Sequence, residues 1–530
     1  TYDILLPVAM AASALAMCLA LRRWVRSWFA AFVGGLLYGF SPYMIGEGSG
    51  HLFLVAVFVP PIVLVLLHEI VVVQRHSPAR DGLLLGVLLV LQYFISPEVL
   101  AMTAVTGACG VVLLAAVRYA TVRTKAPHVA VAAIVCALVC AAALAYPVWF
   151  ELHGPQHVVG PPHPLKSLAL FPGDLLGPVV PTSNQFLAPA SIEAHGVALV
   201  GHNPNENGMY VGIPLIVVLA AFAWIFRRRR ALLFFLAVAV IAGILALGPQ
   251  LVVNAHHTGV PLPSWILEHL PLLKGILDVR FSLFLQMAVA AALAVGLDEL
   301  ATRATERVRD LSSPLAARPK KALWMRWDQR ARRVAPLGAT ALVAAVVLLP
   351  LLPAEAYAPG PASIPTFFTS TAADRIPEGA AVLTYPYVLA PDAEWNLTFQ
   401  AEEGMRYKVF GADGFVPDGP GHTSVSTPTP LDPQVVERLF ADAYTPALAG
   451  ARLGTRPGTP APAVDAVTVA ALRTFFVRYH VDAVVVDDLG LHPETVVTYV
   501  TDALGPPVET GGVWAWFDVP RLVTHAASGR

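Results

Sequence analysis

Residues 82–118 read GLLLGVLLVLQYFISPEVLAMTAVTGACGVVLLAAVR. Between Asp81 and Arg118 the one charged residue is Glu98. A helix needs roughly 20 apolar residues to cross about 30 Å of hydrocarbon. This stretch holds two such runs, 82–97 and 99–118, joined at Ser96-Pro97-Glu98. It reads as a membrane hairpin, because a lipid-exposed backbone must satisfy its own hydrogen bonds and helices do that. Working outward, apolar runs at 3–22, 29–46, 52–74, 127–149, 209–226, 231–249, 280–301 and 336–354 give about ten transmembrane helices in all.

Composition agrees. Apolar residues make up 56% of the 530 and charged ones only 13%, about half the soluble average of roughly 25%. Four cysteines exclude a disulfide scaffold, and Cys18, Cys109, Cys136 and Cys140 all fall in expected spans. The fold expected is an α-helical polytopic membrane protein over 1–354, followed by a C-terminal extracytoplasmic α/β domain over 355–530.

Charge sets the orientation. Arg22–Arg26, Arg75–Arg80, Arg118–Lys125, Arg227–Arg230 and the basic loop 303–335 hold 22 Lys and Arg, whereas the alternate loops up to 354 hold only Lys166, Lys274 and Arg280. The first set is expected in the cytoplasm, and the loops 150–208 and 250–279 outside. Loop 303–335, with Trp324 and Trp327 among its arginines, reads as a positive-inside loop or an amphipathic helix on the leaflet. Ten spans that end outside must begin outside. No basic segment precedes the first run, so an upstream helix and its external loop are expected to be missing from the N-terminus.

From 355 onward there are 20 acidic residues against 10 Lys and Arg. That sign, and the location, exclude nucleic-acid binding. Strands are predicted at Ala381–Tyr387, Met405–Phe410, Ala483–Asp487 and Val513–Phe517, and helices at Pro433–Ala447, Val464–Tyr479 and Pro493–Leu504. Phe415–Pro433 and Gly450–Pro462, rich in Pro, Gly and Thr, read as loops.

No soluble-enzyme motif is present: no phosphate-binding loop, no GxSxG elbow, no HExxH. Polar groups on the expected external side remain. The segment Tyr43-Met44-Ile45-Gly46-Glu47-Gly48-Ser49-Gly50-His51 reads as a glycine-hinged turn presenting Glu47 and His51, for a bound cation, a proton, or merely solvent. Glu98 tips its hairpin, where an acid is costly unless it has a role or reaches the interface. Loop 150–208 carries His163, Lys166, His202 and Glu206. Its Leu165–Val180 suits an interfacial or re-entrant helix, its histidines are candidate metal ligands, and Lys166 is a candidate cation for an anionic headgroup. Lys274 and Arg280 stand at the entry to a late span, suited to a donor phosphate; Arg280 could instead pair with Asp278 or another carboxylate, or snorkel.

The runs Leu36-Leu37-Tyr38-Gly39-Phe40-Ser41-Pro42-Tyr43 and Gly50-His51-Leu52 resemble the early spans of bacterial GT-C superfamily glycosyltransferases. Tyr210–Leu215, Arg280-Phe281, and Ile376–Gly379 leading into Val382–Pro386 resemble later parts of them. Arg outnumbers Lys 29 to 6, which suits a high-GC actinobacterium. The resemblance implies a multi-pass protein of the bacterial plasma membrane. It implies transfer of a sugar, with inversion, from a polyprenyl-phosphate donor to an envelope glycan, lipid or protein acceptor. It implies an acidic base in the first external loop, upstream of Thr1, and allows a divalent metal such as Mg or Mn. Glu47, Glu98 and Glu206 are then site candidates without an assigned catalytic role. The alternative from another class is a non-catalytic membrane protein, either a carrier of lipid-linked glycan or an envelope assembly scaffold.

Overall fold

The computed structural model describes residues 2–155, 157, 171, 173–199, 204–206, 208–270, 273–312, 337–354, 364–389, 395–412, 415–417, 423–425, 466–489 and 493–527. Contacts divide the chain into two units: Thr1–Trp149 with Leu165–Tyr357, and Phe150–Pro164 with Ala358–Arg530.

The first unit is helical, with α1 (Tyr2–Leu21), α2 (Trp28–Gly39), α3 (Pro42–Glu47), α4 (Leu52–Val55), α5 (Val59–His68), α6 (Pro78–Ile95), α7 (Pro97–Val117), α8 (Tyr119–His153), α9 (Ala190–Leu199), α10 (Ile213–Ile225), α11 (Arg230–Ala246), α12 (Trp265–Glu268) and α13 (Ser282–Ser312). An apolar α14 covers Leu337–Leu351. Seven helical stretches among the described residues are long and apolar enough to cross a membrane, and α10, α11 and α14 are shorter apolar helices. The protein is a polytopic membrane protein. At the centre lies α13, whose apolar stretch is wholly buried. Its run Ala288–Ala294 is small enough for other backbones to approach closely.

The apolar stretch Leu52–Val73 is interrupted between α4 and α5, which frees backbone groups inside the unit. Polar side chains take them up: Ser13 Oγ donates to Val55 O (3.0 Å) and accepts from Val57 N (3.1 Å), and Tyr38 Oη donates to Val57 O (2.8 Å). A broken helix at membrane depth is tolerated when its backbone is satisfied in this way.

The described parts of the basic loops gather at one end. Arg23 and Arg75 both reach the buried Glu69 (3.0 and 3.1 Å), Arg229 donates to Trp24 O (3.2 Å), and Lys125 bonds to Val72 O. Asp298 Oδ1 accepts from the backbone of Arg26 and Ser27 (3.0 and 2.7 Å), holding this end against α13.

Two expectations in this unit are corrected. Pro42–Glu47 is helical, in keeping with the expected run 29–46 and against the reading of 43–51 as a turn: Ser41 Oγ caps Met44 N and Pro42 occupies the first position, a strong start signal that outweighs Gly46. The bend is confined to Gly48–Gly50. In Leu165–Val180, the described residues 173–180 form turns and no helix. Asp174 fixes them there. It is buried and accepts from Leu176, Asn254 and Ala255 N (2.8, 3.2 and 2.7 Å). The last two belong to the turn of an antiparallel hairpin, β1 (Gln250–Val253) and β2 (His256–Pro261), within the expected loop 250–279.

In the second unit, β3 (Ala381–Tyr385) is followed by short strands β4 (Val388–Leu389), β5 (Lys408–Val409), β6 (Gly411–Ala412), β7 (Phe415–Pro417) and β8 (Thr423–Val425), then β9 (Ala483–Asp487), β10 (Val508–Thr510) and β11 (Val513–Phe517). The main sheet has the order β10-β11-β9-β3-β5, with β3 parallel to both β5 and β9 and β11 antiparallel to β9. Every residue of β9 is buried, as befits a central strand covered on both faces. Val484 and Val486 pack among Leu472, Phe476, Tyr499 and Val500 of helices α16 (Ala466–Arg478) and α17 (Pro493–Leu504), which follow α15 (Trp395–Glu402). Ala483 and Val485 face Phe367, Phe368 and Phe399. Phe415–Pro433, expected as loop, contains the β7–β8 pairing. The predicted helix Pro433–Ala447 lies outside the described residues.

Candidate functional site

The end of the helical unit opposite the basic loops is built from starts and stops of helices. Glu47 is the last residue of α3, Glu98 the second of α7, and Arg280 precedes α13 in a single 3-10 turn, Asp278–Phe281. Glu206 ends another such turn, Pro204–Glu206. Ser96 Oγ caps α7 and Pro97 fills its first position, so Glu98 lies in the first turn, where the helix dipole favours an anion.

These residues converge on Arg280, which is 8% exposed. Arg280 Nη2 and Nε donate to the two oxygens of Glu206 (2.8 and 3.2 Å), a fork matching the carboxylate. Nη1 donates to Glu98 Oε2 (2.7 Å), and Nε lies 3.6 Å from Glu47 Oε1. Glu98 Oε1 also accepts from Leu277 N (3.2 Å). Glu47 Oε2 in turn meets His51 Nδ1 at 2.8 Å. Glu47 and Glu206 are buried, Glu98 is partly exposed, and His51 is half-buried.

Charge decides what this group can do. Three carboxylates face one guanidinium, so the cluster is short of positive charge. Buried charges without partners are costly. Burial pushes the Glu206 carboxyl up, but Arg280 outweighs it and holds the group below its ordinary value. Burial pulls the His51 imidazole down, but the hydrogen bond and charge of Glu47 outweigh that and leave it above its ordinary value. One ligand atom each from Glu47, His51 and Glu206 can be chosen within 4.8 Å of one another, which suits a divalent cation.

Sequence reasoning missed the residues that let the segments meet. An added Cβ on Gly46 would lie 2.3 Å from Asn205 O, and one on Gly208 would lie 2.2 Å from Ser282 Oγ. Gln286 is fully buried and donates to Gly208 and Tyr210 O (2.9 and 2.8 Å), pinning the chain that follows Glu206. Tyr43 is also fully buried, and its hydroxyl has no hydrogen-bond partner among the described residues. The nearest signal was the glycine-bearing stretch 43–51 itself.

Of the candidates named from sequence, Glu47, His51, Glu98, Glu206 and Arg280 are together. Arg280 pairs with these carboxylates rather than with Asp278, and its nitrogens face them rather than an open anion site. Lys274 is exposed and borders a separate cavity of about 120 Å³ with Glu268 and Asp278. Lys166, His163 and His202 lie outside the described residues.

A family described as a domain of unknown function (DUF6311) matches residues 4–297. No curated protein matches the chain. Among solved structures, the single-particle cryo-EM structure of arabinofuranosyltransferase AftD from Mycobacteria aligns with it at 13% identity and a TM-score of 0.43. The alignment covers 98% of this chain and 33% of AftD, so the chain spans about a third of that enzyme's length.

Proposed function

Starting from a chain that belongs to the DUF6311 family, we propose that it is a membrane glycosyltransferase of GT-C type. It moves a sugar from a polyprenyl-phosphate donor to an envelope glycan, lipid or protein on the extracytoplasmic side of a bacterial plasma membrane. The observation that carries this reading is the buried, anion-rich group around Arg280 at the end of the helical unit opposite its basic loops. Basic loops mark the cytoplasmic side of membrane proteins, so the group belongs to the outer side, where lipid-borne sugars are consumed.

In such a transfer the acceptor oxygen bonds to the anomeric carbon as the bond from that carbon to the phosphate oxygen breaks. The phosphate leaves with the electron pair, and the acceptor's proton goes to a base. Positive charge placed beforehand at the phosphate stabilises that departure. Arg280 is engaged by carboxylates, so the structure's own cation is committed. Mn fits between Glu47, His51 and Glu206 better than Mg, which prefers all-oxygen sites: their donor set is hard oxygen plus imidazole, the cluster carries surplus negative charge, and Tyr43 leaves a buried hydroxyl there unpartnered. When bound, the metal would neutralise the donor phosphate. Arg280 holds Glu206 in place for it, Glu98 ties Arg280 to α7, and Glu47 orients His51.

A second reading has its own observation. Arg280 joins three segments distant in sequence, which is also what a purely structural clamp in a lipid-glycan carrier or assembly scaffold would do. His51 separates the two, because it bonds to Glu47 and not to Arg280. In cells whose only copy carries His51→Ala, the enzyme reading expects loss of an envelope glycan at normal protein abundance. An unchanged glycan profile would leave only the clamp.

A further inference from the structure

Between α5, α7, α11 and α13 runs a cavity of about 570 Å³, within the roughly 300–1,000 Å³ of small-molecule sites. Its walls are mostly apolar, with Leu64, Phe234 and Phe284 among them; Thr103, Thr106 and His68 are polar exceptions, and no Asp or Glu lines it. Gly110 leaves room on α7: an added Cβ would find its nearest neighbour, Phe234 Cζ, only at 3.8 Å. The cationic lining residues are Arg118, directly after α7, and Arg230, the first residue of α11. Both are exposed, and neither has an ion-pair partner among the described residues. Arg118 and Glu98 stand at opposite ends of α7, about 30 Å apart at 1.5 Å per residue. The basic end of the cavity therefore stands apart from the Arg280 group, although the far end, at Thr103 and Phe284, comes to within five residues of Glu98 and four of Arg280 along the chain; the inference does not depend on the transferase reading.

We infer that this cavity binds one diacyl phospholipid with an anionic headgroup, drawn from the leaflet at the basic end. The acyl chains lie along the apolar walls, and the phosphate meets Arg118 and Arg230. Charge and shape together favour this occupant. Full positive charge occurs at one end only, the remaining lining is apolar except for His68, Thr103 and Thr106, and the arginines belong to the loops that the positive-inside rule assigns to the anionic cytoplasmic leaflet. A polar metabolite would leave its other groups unsatisfied against leucine and phenylalanine. A neutral lipid would leave the two arginines unused.

The test is native mass spectrometry of the full chain, delipidated in detergent and then offered phosphatidylglycerol and phosphatidylcholine with identical acyl chains. The wild type is expected to retain one phosphatidylglycerol in preference to phosphatidylcholine. Each arginine near an anionic headgroup contributes about fivefold, so the pair Arg118→Gln and Arg230→Gln should lower that preference roughly 25-fold. Gly110→Leu, which projects into the cavity, should lose retained lipid of either kind while melting as the wild type does. Equal retention of both headgroups by the wild type would mean annular lipid only. An undiminished preference in the double arginine variant, or a polyprenyl phosphate displacing phosphatidylglycerol at equal concentration, would also overturn the inference.

Discussion

Replacing Arg280 by Met tests whether the carboxylates are held apart or held together by that one cation. Arg280 makes three charge-assisted hydrogen bonds of 2.7–3.2 Å to Glu98 and Glu206 and lies 3.6 Å from Glu47. Methionine fills similar space with no charge, which leaves three acids facing one another. Removing one partner of a buried pair costs roughly 3–5 kcal/mol. Glu47 and Glu206 expose only 2% and 6% of their side chains, so water cannot replace the lost donor for them. At about 2 °C per kcal/mol for a large domain, melting should fall by about 6–10 °C. The assay is a thermal ramp in detergent, read by thiol-reactive fluorescence at the cysteines. Adding Glu206→Gln to Arg280→Met removes one of the uncompensated charges and should recover a third or more of the loss. A fall of less than about 1 kcal/mol, or no recovery in the double variant, would refute the view that Arg280 neutralises this group.

Gly46→Ala drives a Cβ to 2.3 Å from Asn205 O, so the Pro204–Glu206 turn must retreat. The expected cost is about 1–3 kcal/mol together with weakened Mn binding in a paramagnetic titration, whereas Gly50→Ala, which meets nothing within 4 Å, should change neither. Mn binding should also fall with pH. His51 sits above its ordinary value of 6.5, so protons begin to compete above pH 6.5, and affinity should drop about tenfold per further unit of acid, a dependence that His51→Gln removes. In the α/β unit, Trp516 Nε1 donates to Gly505 O at 2.8 Å, so Trp516→Phe should destabilise it by about 1–3 kcal/mol, seen as faster amide exchange at Val484–Val486.

Hydropathy made the spans legible, because nothing soluble tolerates runs such as 99–118. Short apolar runs with clean boundaries made β9 and β11 legible to the residue, and the helix Pro493–Leu504 was equally legible. The run 29–46 covered most of Pro42–Glu47, but the glycines of 43–51 also drew a turn reading there, although Ser41-Pro42 is a helix start. The β7–β8 pairing hid in Pro/Gly/Thr composition, where pairing partners carry no periodic signal. At the site, residue type was informative and adjacency was not. Glu47, Glu98, Glu206 and Arg280 each stood out as charges beside apolar runs, but 233 positions separate the first from the last. Gly46, Gly208 and Gln286 matter through contacts with backbone elsewhere in the chain, which no local pattern encodes.

The most direct measurement uses purified protein in nanodiscs with a sugar-charged polyprenyl phosphate and an envelope acceptor, following release of free polyprenyl phosphate. Wild type should release it only when acceptor is present, and His51→Ala, compared at equal amounts of folded protein, should do so at least about 100-fold more slowly. No release by the wild type across the donors tried, or equal rates in the two proteins, would contradict a role for this group in glycosyl transfer.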